Sequence, residues 1–289
     1  MKPSLQVASV VVLTLVLLGS GTRGLAQELQ RPQALVGWEI WMGEELRLVE
    51  LPSKAAPLLP AWPLHGNRNS SDLSTLFSSD SEGTLTEKMK PILERALHIV
   101  KGYLPQDVEG NFQLWIFKKI PYAAKTLNPQ LILSAEVLSP ENRERLPFVI
   151  AHEIHHLALM RAGLLKSHPL AQTRILAGLL TEGIATWLSI SSGLFPELDQ
   201  ILQEPQQLKT SFGQIRSALK RSADAQAPED DLYQQNKWGY YVGCWMIQQI
   251  EERFGREAWL VLLNKSAEEA SRELVTLYLN TNPPAEYRF

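Results

Sequence analysis

Between Thr86 and Tyr103, apolar residues at Met89, Ile92, Leu93, Ala96, Leu97 and Val100 recur at helical spacing and predict an amphipathic helix with one face on a core. The pattern then changes. Phe112 to Phe117 (Phe-Gln-Leu-Trp-Ile-Phe) and Leu131 to Leu133 read as strands, with Lys118-Lys119-Ile120-Pro121 and Asn128-Pro129 as breaks. Upstream, Trp38-Glu39-Ile40-Trp41 and Leu46-Arg47-Leu48-Val49 read as a pair of short strands about a Met42-Gly43 turn. From residue 147 onward the periodicity is helical. It predicts helices over 147–163, Pro169 to Ser192 (stopped by Gly193 and Pro196), a piece around Gln206 to Arg221, Trp238 to Phe254, Glu257 to Leu263 and Ser271 to Leu279. The last ten residues read as a tail. The sum is an α+β chain with a small N-terminal β-sheet and a mainly helical C-terminal lobe.

Composition narrows this. With 289 residues, 45% hydrophobic and 20% charged, the chain is long enough for one large domain or two small ones. A net charge of −3 with dispersed basic residues excludes nucleic acid as a partner. Cys244 is the single cysteine, so an intrachain disulfide and a thiolate metal site are both excluded, and its apolar surroundings mark it as a small buried hydrophobe.

Three segments follow. Residues 1–26 read as a secretory signal: Lys2, an apolar run from Val7 to Leu18, and Gly24-Leu25-Ala26 as the cleavage site. This predicts an exported protein, periplasmic or extracellular, with membrane contact only if that segment stays uncleaved. Residues 27–84 hold the paired strands and a linker, proline-rich from Pro52 to Pro63 and rich in Ser, Asn and Asp from Asn67 to Gly83. Residues 85–289 form the main domain, within which 194–236, acidic at Glu229-Asp230-Asp231, reads as a mobile, cleft-covering stretch. The sequence leaves the oligomeric state open.

The candidate chemistry lies in 147–163, Pro-Phe-Val-Ile-Ala-His-Glu-Ile-His-His-Leu-Ala-Leu-Met-Arg-Ala-Gly. His152, Glu153 and His156 form the H-E-x-x-H pattern. On a helix, residues four apart share a face, so both imidazoles can turn to one metal ion, and Glu153 sits beside that face, placed to take a proton from a water the metal activates. Catalytic zinc takes three protein ligands and keeps one position open, so a third ligand is needed. A histidine six residues after His156 would supply it in a metzincin, but Ala162 stands there. His168 in Lys-Ser-His-Pro is a loop alternative. Glu182 in Leu-Leu-Thr-Glu-Gly-Ile-Ala-Thr-Trp-Leu is the preferred one: the 25 intervening residues let the first helix end and a second return beside it. Gly183 costs a helix about 1 kcal/mol relative to Ala, which suits a place where two helices must approach closely.

His-Glu-Ile-His-His followed by Leu-Thr-Glu-Gly-Ile-Ala resembles the gluzincin clan of metallopeptidases, with Thr181 at the position of the motif's asparagine. Gly239-Tyr240-Tyr241-Val242-Gly243 and Phe254-Gly255 resemble the tyrosine-bearing helix of its peptidase-MA-like branch, and Leu131-Ile132-Leu133-Ser134 falls where that branch has its edge strand. The resemblance covers about residues 85–265. It implies a thermolysin-like catalytic domain, Zn2+ on His152, His156 and Glu182, Glu153 as general base, and a peptide or protein substrate. It also implies an oxyanion donor at Tyr240, with Tyr241 as the alternative. The exopeptidase glycine motif is not found before His152, which favours an endopeptidase. The carboxylate that thermolysin-like relatives carry one turn after the glutamate ligand is here Thr186, and His155 reads as a packing residue. Two rival readings stay open: an exported zinc-binding module without turnover, and a helical interaction protein with a chance motif.

Overall fold

Residues 12–13, 29–30, 34–42, 47–57, 62–63, 84–104, 110–118, 120, 123–127, 129–162, 168–222, 232–233 and 237–289 are described in the computed structural model. Most of the signal segment, the stretch Asn67 to Gly83, Gly163 and Glu229-Asp230-Asp231 lie outside the described residues.

The sheet is built from β1 (Ala34–Met42), β2 (Arg47–Leu51), β3 (Gly110–Phe117), β4 (Ala124–Leu127) and β5 (Gln130–Ser134). Its spatial order is Val12–Leu13, β4, β5, β3, β1, β2. β3 and β5 run parallel, whereas β1 with β2, β1 with β3 and β4 with β5 are antiparallel. A separate antiparallel pair joins Leu29–Gln30 to Trp62–Pro63. Strands from both sides of residue 84 therefore share one sheet.

Register explains the sequence pattern. Trp38 lies opposite Leu114 and Ile40 opposite Phe112; Leu114 lies opposite Leu131, and Leu131 opposite Thr126. Side chains at directly paired positions share a face, so these residues make one buried surface across the sheet. On the other face Trp115, Phe117 and Ile132 form a second cluster with Ala34, Leu51, Ala56, Ile120 and Leu127 around it. β3 is thus covered on both sides, which is why Phe112 to Phe117 is a nearly unbroken apolar run. The same double coverage corrects the expected place of Leu131-Ile132-Leu133-Ser134. That strand lies inside the sheet, between β3 and β4, because its residues feed both cores.

The helices are α1 (Leu85–Lys101), α2 (Leu146–Ala162), α3 (Ala171–Ile190), α4 (Pro196–Gln203), α5 (Pro205–Arg221), α6 (Trp238–Phe254), α7 (Glu257–Leu260) and α8 (Ala267–Asn280). They make the remainder mostly helical, and the whole is α+β. Thr84 starts α1 with a capping box: Glu87 N–H donates to Thr84 Oγ1 at 3.2 Å, and Thr84 N–H donates to Glu87 Oε2 at 2.6 Å. α3 ends where Gly193 adopts φ 73, a left-handed conformation that glycine enters without a Cβ penalty. Among the described residues no helix is long and apolar enough to cross a membrane.

The chain forms two compact units. One comprises Leu13–Ala158 and Ile184–Gln200 and holds the sheet with α1, which turns Met89, Ile92, Leu93, Ala96 and Val100 inward. Trp38 Nε1 donates to Thr86 Oγ1 at 2.9 Å in this unit. The other contains Leu159–Gly183 and Ile201–Phe289. In it the last ten residues, expected as a tail, are packed down. Ala285–Tyr287 is a 3-10 turn, the Tyr278 hydroxyl donates to the Tyr287 carbonyl at 2.8 Å, and the Arg216 guanidinium donates to the carbonyls of Glu286 and Arg288 at 2.7 and 2.8 Å. Phe212 stacks on Tyr278 and meets Tyr287 and Phe289 at ring-centre distances of 6.0, 5.4 and 5.7 Å. Aromatic burial with satisfied carbonyls anchors this segment without any periodic sequence signal.

Candidate metal centre

α2 has no solvent side along its middle: every residue from Ala151 to Leu159 is buried. Four of them, His152, Glu153, His155 and His156, are ionisable, and burying such groups away from water costs several kcal/mol per charge unless partners offset it. Local geometry supplies one relation. His152 and His156 stand one helical turn apart, their Nε2 atoms 3.0 Å from each other and their rings edge-to-face at 74°.

α3 supplies Glu182, which has no solvent exposure. One ligand atom from each of His152, His156 and Glu182 lies within 4.8 Å of the other two. Among the described residues no other group of three or more His, Cys, Asp or Glu is arranged to hold an ion. Zinc–donor bonds of 2.0 to 2.1 Å at tetrahedral angles put donor atoms about 3.3 Å apart, so this cluster is compact enough to close on one ion with little movement. Two neutral imidazoles and one carboxylate are also a donor set zinc accepts, with a fourth position left for water. The residues present fit a zinc ion. His168, the alternative third ligand, is outside the cluster: it sits in the turn before α3, its Nδ1 accepting from Leu170 N–H at 3.2 Å.

What places Glu182 is a close helix contact within its own unit. A Cβ added to Gly183 would overlap the backbone of Gly243, and one added to Gly243 would overlap the carbonyl of Leu179. Only glycine at both positions lets α3 and α6 approach backbone to backbone. Tyr233 fills a second notch of this kind. Its ring lies where side chains at Gly178 and Gly239 would be, and its hydroxyl donates to the Ile175 carbonyl at 2.9 Å.

Glu153 turns toward the sheet. Thr126 Oγ1, on β4, lies 2.7 Å from Glu153 Oε2 and 2.9 Å from the Glu153 carbonyl oxygen. Burial lowers the affinity of the neighbouring Lys125 ammonium for its proton, while the charge of Glu153 works in the opposite direction. His155, also fully buried, meets the His156 ring edge-on at 6.0 Å. Thr186, one turn beyond Glu182, is buried, and its hydroxyl has no hydrogen-bond partner among the described residues.

Tyr240 is buried on α6 one turn before Gly243, its ring edge-on to Tyr233 at 6.1 Å. Tyr241 is half-buried, and desolvation pushes its phenol above the ordinary tyrosine value. Sequence reasoning missed Thr126 and Tyr233. Thr126 belongs to a four-residue strand, Ala-Lys-Thr-Leu, too short and too poor in β-branched residues to stand out. Tyr233 falls in the polar stretch expected to cover a cleft.

A buried H-E-x-x-H helix whose histidines meet a glutamate from a second helix is the architecture of a metal-binding hydrolase site. A family described as "Putative zinc dependent peptidase (DUF5700)" matches residues 80–280, well over half of the chain, and the chain belongs to that family. No curated protein and no solved structure matches it.

Proposed function

We propose that this protein is a zinc-dependent peptidase of the gluzincin type, with a thermolysin-like arrangement of ligands: His152, His156 and Glu182. The observation that carries the reading is the convergence of those three buried side chains within 4.8 Å, with Glu153 next in sequence to one of them. Zinc, when bound, supplies Lewis-acid polarisation of the scissile carbonyl and brings the pKa of a water to about 7.

The chain's own residues do the rest. Glu153 takes the proton of the attacking water on its carboxylate and hands it to the leaving nitrogen, so no covalent intermediate forms on the protein. Tyr240 donates its hydroxyl to the developing oxyanion, an interaction stronger in the transition state than in the ground state. Burial of α2 excludes bulk water from the proton path, which keeps these electrostatic interactions strong. The substrate is a peptide or protein, cleaved internally, since the sequence before His152 lacks the glycine motif that grips a free amino terminus. The apolar N-terminal run supports export, placing this activity in the periplasm or outside the cell.

The test is a digestion of a quenched-fluorescent peptide library by wild type and Glu153→Gln, each with its zinc content measured. The expected result is one zinc per chain in both and cleavage only by wild type, with a loss on the order of 100-fold or more in the variant. Equal cleavage by the two proteins ends the general-base assignment. A wild type purified in zinc that carries none ends the metal assignment.

A further inference from the structure

Glu153 is the residue on which the proposed chemistry turns, so the placement of its carboxylate matters. A glutamate has three rotatable side-chain bonds, and a general base that wanders by about 1 Å loses on the order of 100-fold in rate. The fixing group comes from the sheet. Thr126 is 1% exposed, and its Oγ1 reaches both Oε2 and the main-chain oxygen of Glu153, at 2.7 and 2.9 Å.

We propose that Thr126 is a positioning residue for Glu153: the threonine hydroxyl holds Oε2 and so fixes the orientation of the carboxylate. This rests on the reading of Glu153 as general base.

Three features support it. A hydroxyl has one proton and two acceptors here; the carboxylate, charged and closer, takes it, giving a charge-assisted bond. The carbonyl of the same residue lies 2.9 Å from the same oxygen, so the hydroxyl sits where the backbone of α2 passes β4 while its one proton serves the carboxylate. The anchor is itself rigid. Thr126 lies opposite Leu131 in the antiparallel pairing of β4 with β5, and its β-branched side chain has restricted χ1 freedom. A site residue held by a packed sheet position is held more tightly than one held by a loop. The ordinary alternative is a buried threonine that merely ties a strand to a helix carbonyl. That alternative explains the 2.9 Å contact and leaves the shorter carboxylate contact without a role.

The experiment compares Thr126→Val, which keeps the shape and removes the hydroxyl, with Thr126→Ser, which keeps the hydroxyl, using one quenched-fluorescent peptide cleaved by the wild type. For Thr126→Val the expected result is a 10- to 100-fold loss in kcat, KM within about 2-fold, and one zinc per chain. Thr126→Ser should recover most of the rate. In Thr126→Val/Glu153→Gln no further loss beyond that of Glu153→Gln alone is expected, because the threonine acts only through the carboxylate. A crystal structure of the zinc-loaded valine variant gives a readout independent of turnover: Glu153 should occupy more than one rotamer. Thr126→Ala takes the place of valine if the latter does not fold. Full activity in the valine or alanine variant, a serine variant as slow as either, or a further loss in the double variant overturns the proposal. Failure of the general base is a different result, read from cleavage by Glu153→Gln alone.

Discussion

Gly183 and Gly243 meet backbone to backbone, so closely that a methyl group on Gly183 would occupy the space of the Gly243 carbonyl group. Since Glu182 is the residue before Gly183, this contact sets how far the carboxylate is carried on α3. Two effects oppose each other in Gly183→Ala. Helix propensity favours alanine by about 1 kcal/mol, and overlap with main-chain atoms that cannot move aside costs about 1–3 kcal/mol or more. Overlap wins. The expected outcome is a fall in Tm of several degrees together with weakened zinc binding. Gly213→Ala is the matched control: it lies inside α5 with nothing within 4 Å of the added Cβ, so propensity acts alone and Tm should rise.

Zinc binding should be visible as stability. An ion that binds only the folded chain stabilises it by about 2.7 kcal/mol at 100 times its Kd. Melting of the wild type should therefore shift upward with added zinc and downward with chelator. In His156→Ala and Glu182→Gln the shift should shrink or vanish, since each removes one of three donors, and metal content measured on the same samples should fall with it. A zinc-dependent shift of full size in both variants would mean that the ion binds elsewhere.

The parts of the site legible in the sequence are those fixed by local rules. His152 and His156 share a face because a helix repeats every 3.6 residues, and Glu182 could be singled out because a Glu-Gly pair inside an apolar helix is odd unless two helices touch there. Residues joined by tertiary register were not legible. Thr126 reaches the helix residue Glu153 across 27 residues of sequence, and no periodicity marks Ala124–Leu127 as a strand. The interior position of Leu131-Ile132-Leu133 was lost for the same reason, since a three-residue apolar run does not say whether one or both of its faces are covered. The packed C-terminus escaped because Tyr278, Tyr287 and Phe289 combine through tertiary packing on Phe212 and not through any repeat.

That aromatic cluster should show in alkali. Burial is the main reason that the Tyr278 phenol holds its proton well above the ordinary tyrosine value of about 10. The folded-state pKa is raised, so the associated stability is fully present below pH 10 and is lost as pH rises above it, while the unfolded tyrosine ionises and the folded one resists. Urea unfolding of the wild type should weaken steadily above pH 10. Tyr278→Phe should be about 1–3 kcal/mol less stable at neutral pH, because the Tyr287 carbonyl loses its donor, and its stability should fall less steeply with pH in alkali. An unchanged alkaline slope would show that Tyr278 does not set it.

The two neighbouring tyrosines of α6 separate by a single oxygen atom each. Tyr240 stands one turn before Gly243, buried with its ring edge-on to Tyr233, whereas Tyr241 is turned by about 100° around the helix and is only half-buried. A hydroxyl that stabilises the oxyanion interacts most strongly in the transition state, so its removal should lower kcat and leave KM nearly constant. Tyr240→Phe is expected to lose on the order of 10- to 100-fold in kcat with zinc content unchanged, and Tyr241→Phe to remain within about 3-fold of wild type. The reverse pattern would move the oxyanion role to Tyr241. Equal and small effects would leave the polarisation of the carbonyl to zinc alone, with both rings serving only to pack α6.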